Sequence, residues 1–228
     1  MKVVAFIPAR GGSKRLPNKN ILSFCGKPLI EYTIEYAIKS NVFDEIVVSS
    51  DSEGILEIAR KYNITALQRP LEYAEDLSTT ASAAKHCADY LVQNKIEFDG
   101  FVTLQVTNPF RTIDILKKGL EEFEKELPDS VISVGVNKHK LGEINEEGDF
   151  SPTMYTAGQR SQDINQLYFE NGLIYITSKK VILKGEIFGD TSKVIVTDEI
   201  FSLVDIDTEE DFLLGEIIYK NYKNVLDY

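Results

Sequence analysis

Strand-length apolar runs that alternate with amphipathic stretches of helix length constrain this chain more than any other feature of its sequence. The runs fall at residues 3–7, 45–49, 64–67, 101–104 and 130–136. Between them, apolar residues recur at the three- and four-residue spacing of one helical face. Ile30, Ile34, Ala37 and Ile38 follow Pro28, and Ile55, Ile58, Ala59 and Tyr62 form the next face. A third helix is expected from Ser78-Thr79-Thr80 to about residue 94, and a fourth carries Ile113, Leu116, Leu120 and Phe123. Pro28 stands where a first helical turn tolerates it, and Ser50-Asp51-Ser52 offers capping oxygens to the second helix. This alternation predicts an α/β fold built on a doubly wound, mainly parallel sheet. Ligands of such sheets sit beyond the carboxyl ends of the strands.

Beyond residue 136 the rhythm breaks. Residues 137–165 are rich in Asn, Glu, Gly and Ser with little periodicity, and they are too long for an ordinary connection. We read them as a flap or as an arm that contacts a partner subunit. Asn171-Gly172 signals a turn before a strand at 173–176, and 193–197 reads as a further strand. Residues 201–206 lead into Asp207-Thr208-Glu209-Glu210, whose acidic and capping side chains open a closing helix to about residue 222. A chain of 228 residues is expected to form one domain, 1–228, with the excursion at 137–165.

A net charge of −11 argues against nonspecific binding to nucleic acid or to an anionic membrane, which needs a cationic field over much of a face. Cys25 and Cys87 fit no Cys-x-x-Cys or Cys/His metal pattern and read as structural thiols of a reducing cytosol. No apolar run has the length of a signal-peptide core or a membrane span, so a soluble, cytoplasmic protein is expected.

Against this acidic background the loop after the first strand is a local exception. Ala9-Arg10-Gly11-Gly12-Ser13-Lys14-Arg15-Leu16-Pro17-Asn18-Lys19-Asn20 holds two adjacent glycines and four cations. It matches neither Gly-x-Gly-x-x-Gly nor Gly-x-x-x-x-Gly-Lys-Ser/Thr. Glycines let backbone N–H groups approach phosphate oxygens, Arg offers a planar fork and Lys a mobile point charge. By composition alone the loop could be a turn with solvated cations; its place between a strand and a helix favours phosphate binding.

Near the other end, Asp205-Ile206-Asp207 closes an expected strand, where alternation puts both carboxylates on one side of the chain. Such a pair repels itself unless a cation sits between, and hard oxygen ligands suit Mg²⁺. The competing reading is a helix cap at Asp207, and spacing alone does not separate the two; the cationic loop favours the metal. Arg69, Gln105 and Arg111 each lie just past an expected strand end, on the face of the first loop, though each taken singly could be a surface residue. His86 and His139 read as ordinary helix and loop residues, and Ser50-Asp51 as an N-cap rather than a site.

These residues resemble the CMP-sialic acid synthetases, or N-acylneuraminate cytidylyltransferases, with legionaminic and pseudaminic acid cytidylyltransferases sharing the pattern. Ile7-Pro8-Ala9-Arg10-Gly11-Gly12-Ser13-Lys14 through Pro17, Lys19 and Asn20 is similar to the family's opening motif. Gln68-Arg69-Pro70 to Asp76, Leu104-Gln105-Val106-Thr107-Asn108-Pro109-Phe110-Arg111, 168–176 and 205–212 look like its later blocks in order. The resemblance implies a Rossmann-like nucleotidyltransferase with a small dimerisation arm, acting on CTP and a 2-keto nonulosonic acid to give a CMP-sugar and pyrophosphate, the donor for cell-surface polysaccharide.

By the same resemblance Arg10, Gly11, Gly12, Ser13, Lys14 and Lys19 hold the triphosphate, and Asn20, Arg69 and Thr80 lie near the cytidine. Gln105 and Arg160 contact the acid sugar, and Asp205 and Asp207 bind Mg²⁺. Arg10, Lys14, Lys19 and Asp207 carry the catalysis, and the protein is a homodimer with 137–165 as the arm. Two blocks depart from the pattern: Gln-Pro-Thr-Ser-Pro reads Gln105-Val106-Thr107-Asn108-Pro109, and Arg-Gln-x-Leu-Pro reads 160–165 without its proline. The alternatives are a CMP-Kdo or sugar-1-phosphate nucleotidyltransferase of the same fold, or a non-catalytic nucleotide-binding module.

Overall fold

β1 (Val3–Pro8) is the axis of the molecule, and all five residues 3–7 are buried. Such a strand needs apolar cover on both faces, as a continuous apolar run foretells. In the computed structural model, which describes residues 1–75 and 78–226, helices supply that cover. Val3, Ala5 and Ile7 face a core shared with α1 (Leu29–Ser40), α2 (Glu53–Lys61), α4 (Ile113–Glu126) and α6 (Glu209–Tyr222). Val4 and Phe6 face the other core, built with α3 (Thr80–Gln93) and the short α5 (Lys179–Ile182).

The remaining long strands are β4 (Glu45–Ser50), β5 (Thr65–Gln68), β6 (Gly100–Thr103), β7 (Ser130–Val136), β10 (Tyr168–Ser178) and β11 (Ser192–Thr197). Two small hairpins complete the set, β2 (Ser23–Phe24) with β3 (Lys27–Pro28), and β8 (Gly142–Ile144) with β9 (Phe150–Pro152). The main sheet runs β11-β7-β10-β6-β1-β4-β5. β10 is antiparallel to both its neighbours, and every other pairing in the sheet is parallel. The expected doubly wound, mainly parallel sheet is therefore present. From β1 the chain winds outward through β4 to β5, then α3 carries it back across to β6. The loops leaving β1 and β6 diverge at that reversal, and a crevice opens where such folds bind ligands.

Two local expectations change. Asn171-Gly172 is no turn between strands, because β10 runs straight through it with a register shift between Glu170 and Tyr175. Gly172 has φ +73, the left-handed value that a bulge in an otherwise extended strand concentrates in a glycine. Residues 204–207 lie outside any strand, although the alternation holds: Ile206 is fully buried in the core while its two aspartates point away from it. Residues 137–165 are mostly exposed and hold the β8–β9 hairpin and a 3₁₀ turn at Ser161–Asp163.

Candidate active site

The loop after β1 is shaped by its first glycine. Gly11 donates its N–H to Asp51 Oδ1 at 2.8 Å, just past the end of β4. An added Cβ would lie 2.9 Å from Ser52 Cβ, so no larger residue fits that approach. Gly12, by contrast, faces open space. Asn20, buried, donates from Nδ2 to the Arg10 carbonyl at 2.8 Å and ties the far end of the loop to its start. Asp51 is thus part of the site's scaffold, against the expectation of a helix cap there. Ser52 stands at the N-cap of α2 without a side-chain bond, and Ser50 Oγ accepts the Ser52 N–H. Nothing in local sequence distinguishes a capping aspartate from one that grips a loop 40 residues earlier.

A cavity of about 360 Å³ opens beside this loop at the carboxyl ends of the strands. Arg10, Ser13, Lys14, Lys19 and Asn20 line one side of it. Arg69, Ser78, Thr79 and Thr80 contribute another wall, where Thr79 caps α3 by accepting the Ser82 N–H. Gln105 and Thr107 follow from the loop after β6, and Asp205 and Asp207 come from the segment before α6. Of the expected site residues, Gly11 shapes the loop and Gly12 faces open space, and neither lines the cavity. Arg160 is elsewhere: it lies in the excursion at 137–165, its guanidinium paired with Asp163 at 2.8 and 3.2 Å. Asp76, which ends the block starting at Gln68, lies outside the described residues.

The ends of the chain meet at Asp207. Its carboxylate accepts from Arg15 at 2.6 Å and from the nearly buried Lys19 Nζ at 2.7 Å. It does not cap α6. Thr208 does, in a reciprocal capping box with Asp211, which also accepts the Asp207 N–H. A Thr followed three residues later by an acid was readable in sequence, and would have released Asp207 from the capping role. Arg15, named among the loop cations but given no role, is the other residue that sequence reasoning passed over.

Burial sets the electrostatics. The Arg69 guanidinium is buried and donates to Ser49 Oγ at 3.1 Å and the Ser49 carbonyl at 2.6 Å. Desolvation lowers its pKa to about 10 despite nearby Asp51, with Arg10 adding to the drop. The Asp205 carboxyl is raised, first by desolvation and then by the like charge of Asp207; a Thr107 hydrogen bond and Lys19 oppose this. A cation between the two aspartates would relieve that repulsion. Among the described residues no group of three or more His, Cys, Asp or Glu is arranged to hold a metal. Two carboxylates are nevertheless a sufficient protein contribution for Mg²⁺, which keeps waters and draws its other ligands from substrate phosphates. The donor set therefore fits a metal that arrives with a polyphosphate.

Residues 4–224 match the family model described as cytidylyltransferase. The chain is 36% identical over 229 residues to a pseudaminic acid cytidylyltransferase of Campylobacter jejuni, covering 96% of this chain and 97% of that protein. It is 38% identical over 230 residues to an N-acylneuraminate cytidylyltransferase of Streptococcus agalactiae, covering 96% of this chain and 54% of that longer protein. Among solved structures, a CMP:2-keto-3-deoxy-manno-octonic acid synthetase complexed with CTP superposes with a TM-score of 0.71. That likeness spans 97% of this chain and 99% of the other at 16% identity, and it speaks for the fold. No helix among the described residues is long and apolar enough to cross a membrane.

Proposed function

The chain belongs to the cytidylyltransferase family, and from that premise we propose that it transfers CMP from CTP to the anomeric hydroxyl of a nonulosonic, sialic-type acid. The observation that carries this reading is the convergence of the β1 loop with Asp205 and Asp207 in one cavity. A phosphate loop by itself supports binding alone; carboxylates facing it support chemistry on the phosphate. The named activities of relatives above one-third identity, both on nonulosonic acids, supply the acceptor class.

In the proposed reaction the acceptor oxygen forms a bond to the α-phosphorus as the bond to the β-phosphate bridging oxygen breaks. The hydroxyl proton passes to solvent and pyrophosphate leaves in line. Such transfer needs positioning and charge neutralisation more than a covalent nucleophile. Arg10, Ser13, Lys14 and Lys19 hold the triphosphate and neutralise the charge that develops on pyrophosphate. Asn20, Arg69 and Thr80 receive the nucleoside, with Arg69 already immobilised by Ser49. Gln105 contacts the acid sugar. Asp205 and Asp207 would hold Mg²⁺, which when bound would polarise the α-phosphate and lower the pKa of the attacking hydroxyl. Lys19 and Arg15, which grip Asp207, then exchange that carboxylate for phosphate oxygens.

The excursion at 137–165 is proposed as the dimerisation arm of a single 1–228 domain. Its hairpin presents Ile144 and Phe150 at 72% and 54% exposure, apolar surface that a second copy would cover. Arg160 then contacts sugar across the dimer, in the partner's cavity. A cytoplasmic location suits the free thiols of Cys25 and Cys87.

Incubating the protein with CTP, Mg²⁺ and a panel of nonulosonic acids and Kdo, with mass detection of CMP-sugars, tests the reading. A CMP-nonulosonate is expected with wild type and none with Asp207→Ala. CTP binding with no product from any acid would leave a nucleotide-binding module, and a product from Kdo alone would move the acceptor to an eight-carbon acid.

A further inference from the structure

Asn108 sits where the loop after β6, the bulge in β10 and the carboxylate segment meet, and it is 1% exposed. Its Nδ2 donates to the Asn171 carbonyl at 2.9 Å and to the Val204 carbonyl at 3.1 Å. Both amide protons are thereby committed to backbone oxygens more than sixty residues away. Its Oδ1 lies 3.2 Å from the Thr107 hydroxyl. A Cβ on Gly172 would stand 2.5 Å from that same Oδ1 and 3.0 Å from Gln105 Oε1. The glycine of the bulge therefore leaves room for two carboxamides at once.

Two of the elements touched, the loop after β6 and the carboxylate segment, lead directly to cavity residues. Val204 is the neighbour of Asp205, and the segment is tied again to the β6 loop by Ile206 N–H donating to the Thr107 carbonyl at 2.8 Å. Gln105 is held from the other side, where the buried Arg111 guanidinium donates to its carbonyl and to the Leu173 carbonyl. Asn171 is anchored in turn, accepting from Ser133 Oγ and donating to Thr197 Oγ1, both at 2.6 Å. Because residues 204–207 belong to no strand, no ladder sets their distance from Gln105; the Ile206–Thr107 backbone bond and the Asn108 side chain tie them to the β6 loop instead.

We infer that Asn108 is a positioning residue that fixes the Asp205–Asp207 segment against Gln105, so that carboxylates and acceptor-contacting amide keep one separation. The inference rests on the roles proposed above for those three residues. Removing the amide frees the Val204 carbonyl and loosens the carboxylate segment, leaving the Ile206–Thr107 backbone bond and the Lys19 and Arg15 pairs with Asp207 to hold it, while the β1 loop keeps its own ties through Asp51 and Asn20. The signature is accordingly split: metal and acceptor sites loosen, and the triphosphate side does not.

The test compares wild type, Asn108→Ala, Asn108→Ser and, as control, Thr177→Val. The control also deletes a buried hydrogen bond, from Thr177 Oγ1 to the Ile187 carbonyl at 2.9 Å, at the amino-terminal end of the sheet. Mn²⁺ binding to the full chain in the presence of CTP is read by electron paramagnetic resonance, alongside Tm and the KM values for CTP and for the acid. Both Asn108 variants are expected to weaken Mn²⁺ by about tenfold or more, the scale of losing a residue that orients metal ligands. They should also raise the KM for the acid while sparing that for CTP; Thr177→Val lowers Tm alone. Asn108 variants that melt lower but bind Mn²⁺ and acid as wild type does would overturn the inference. Asp207→Asn is measured in parallel: if it leaves Mn²⁺ binding intact, the carboxylate reading fails instead. Should Asn108→Ala not fold, Asn108→Ser retains a hydroxyl at the site and carries the comparison.

Discussion

Lys19 and Arg15 grip the same carboxylate, yet they are not equivalent. The Lys19 side chain is 10% exposed and that of Arg15 is 67% exposed. An exposed ion pair is worth about 0–1 kcal/mol, so Arg15→Ala should shift the unfolding free energy by no more than about 0.5 kcal/mol in urea titrations. Lys19→Met removes a cation from the interior of the cavity, and if that cavity takes the triphosphate as proposed, kcat/KM is expected to fall about 10²–10³-fold in steady-state assays. Equal and small effects of both substitutions would remove Lys19 from the catalytic set. The cations of this loop were legible because they stand out in a chain of net charge −11. Their partner was not, because Asp207 lies 188 residues from Lys19 and no local pattern links the two.

At the scale of elements, an aspartate just before β7 clasps the residue that leads into the edge strand β11. Asp129 accepts the Thr191 N–H at 3.1 Å and pairs with Lys180, while Thr191 Oγ1 accepts the Asp129 N–H at 3.0 Å. Lys180 first, and the Thr191 N–H next, hold the Asp129 carboxyl at about 2. An unfolded Asp titrates near 3.9, about two units higher. A folded pKa below the unfolded one contributes stability above the unfolded value and loses it as pH falls through the folded value. Asp129→Asn should therefore melt lower than wild type at neutral pH, with the gap closing as pH drops from about 4 towards 2. A gap constant across that range would assign the effect to packing instead. Elements themselves were largely legible, β7 to the residue, since apolar periodicity reports burial directly. The Asn171-Gly172 dipeptide misled because a left-handed glycine serves a tight turn and a bulge equally well, and the choice is made by what packs there, here Asn108.

For the molecule as a whole, the proposed dimer arm is open to test at Arg160. In one chain it pairs with Asp163 outside the cavity. If the arm works across a dimer, Arg160→Ala and Asp207→Ala, each inactive alone, complement one another after subunit exchange. A heterodimer then has one cavity with an intact Asp207 and an intact arm from its partner. Equal mixing should restore about a quarter of the wild-type activity, by the statistics of two-fold assembly. Sedimentation would show a dimer in every case. Absence of recovery in exchanged dimers would place Arg160 outside the sugar site.

The sequence by itself determined the layered α/β architecture, the loop of glycines and cations and the pair of aspartates, because each is written in neighbouring residues. Periodicity encodes which face is buried, and adjacent glycines and cations encode a local chemistry. Only the tertiary structure decided how those parts are used. It placed Asp51 beneath Gly11, paired Asp207 with Lys19, ran β10 through an apparent turn and left Arg160 outside the cavity. The first three depend on contacts between residues distant in the chain, whose free energies are set by the sheet order that brings them together rather than by any local preference.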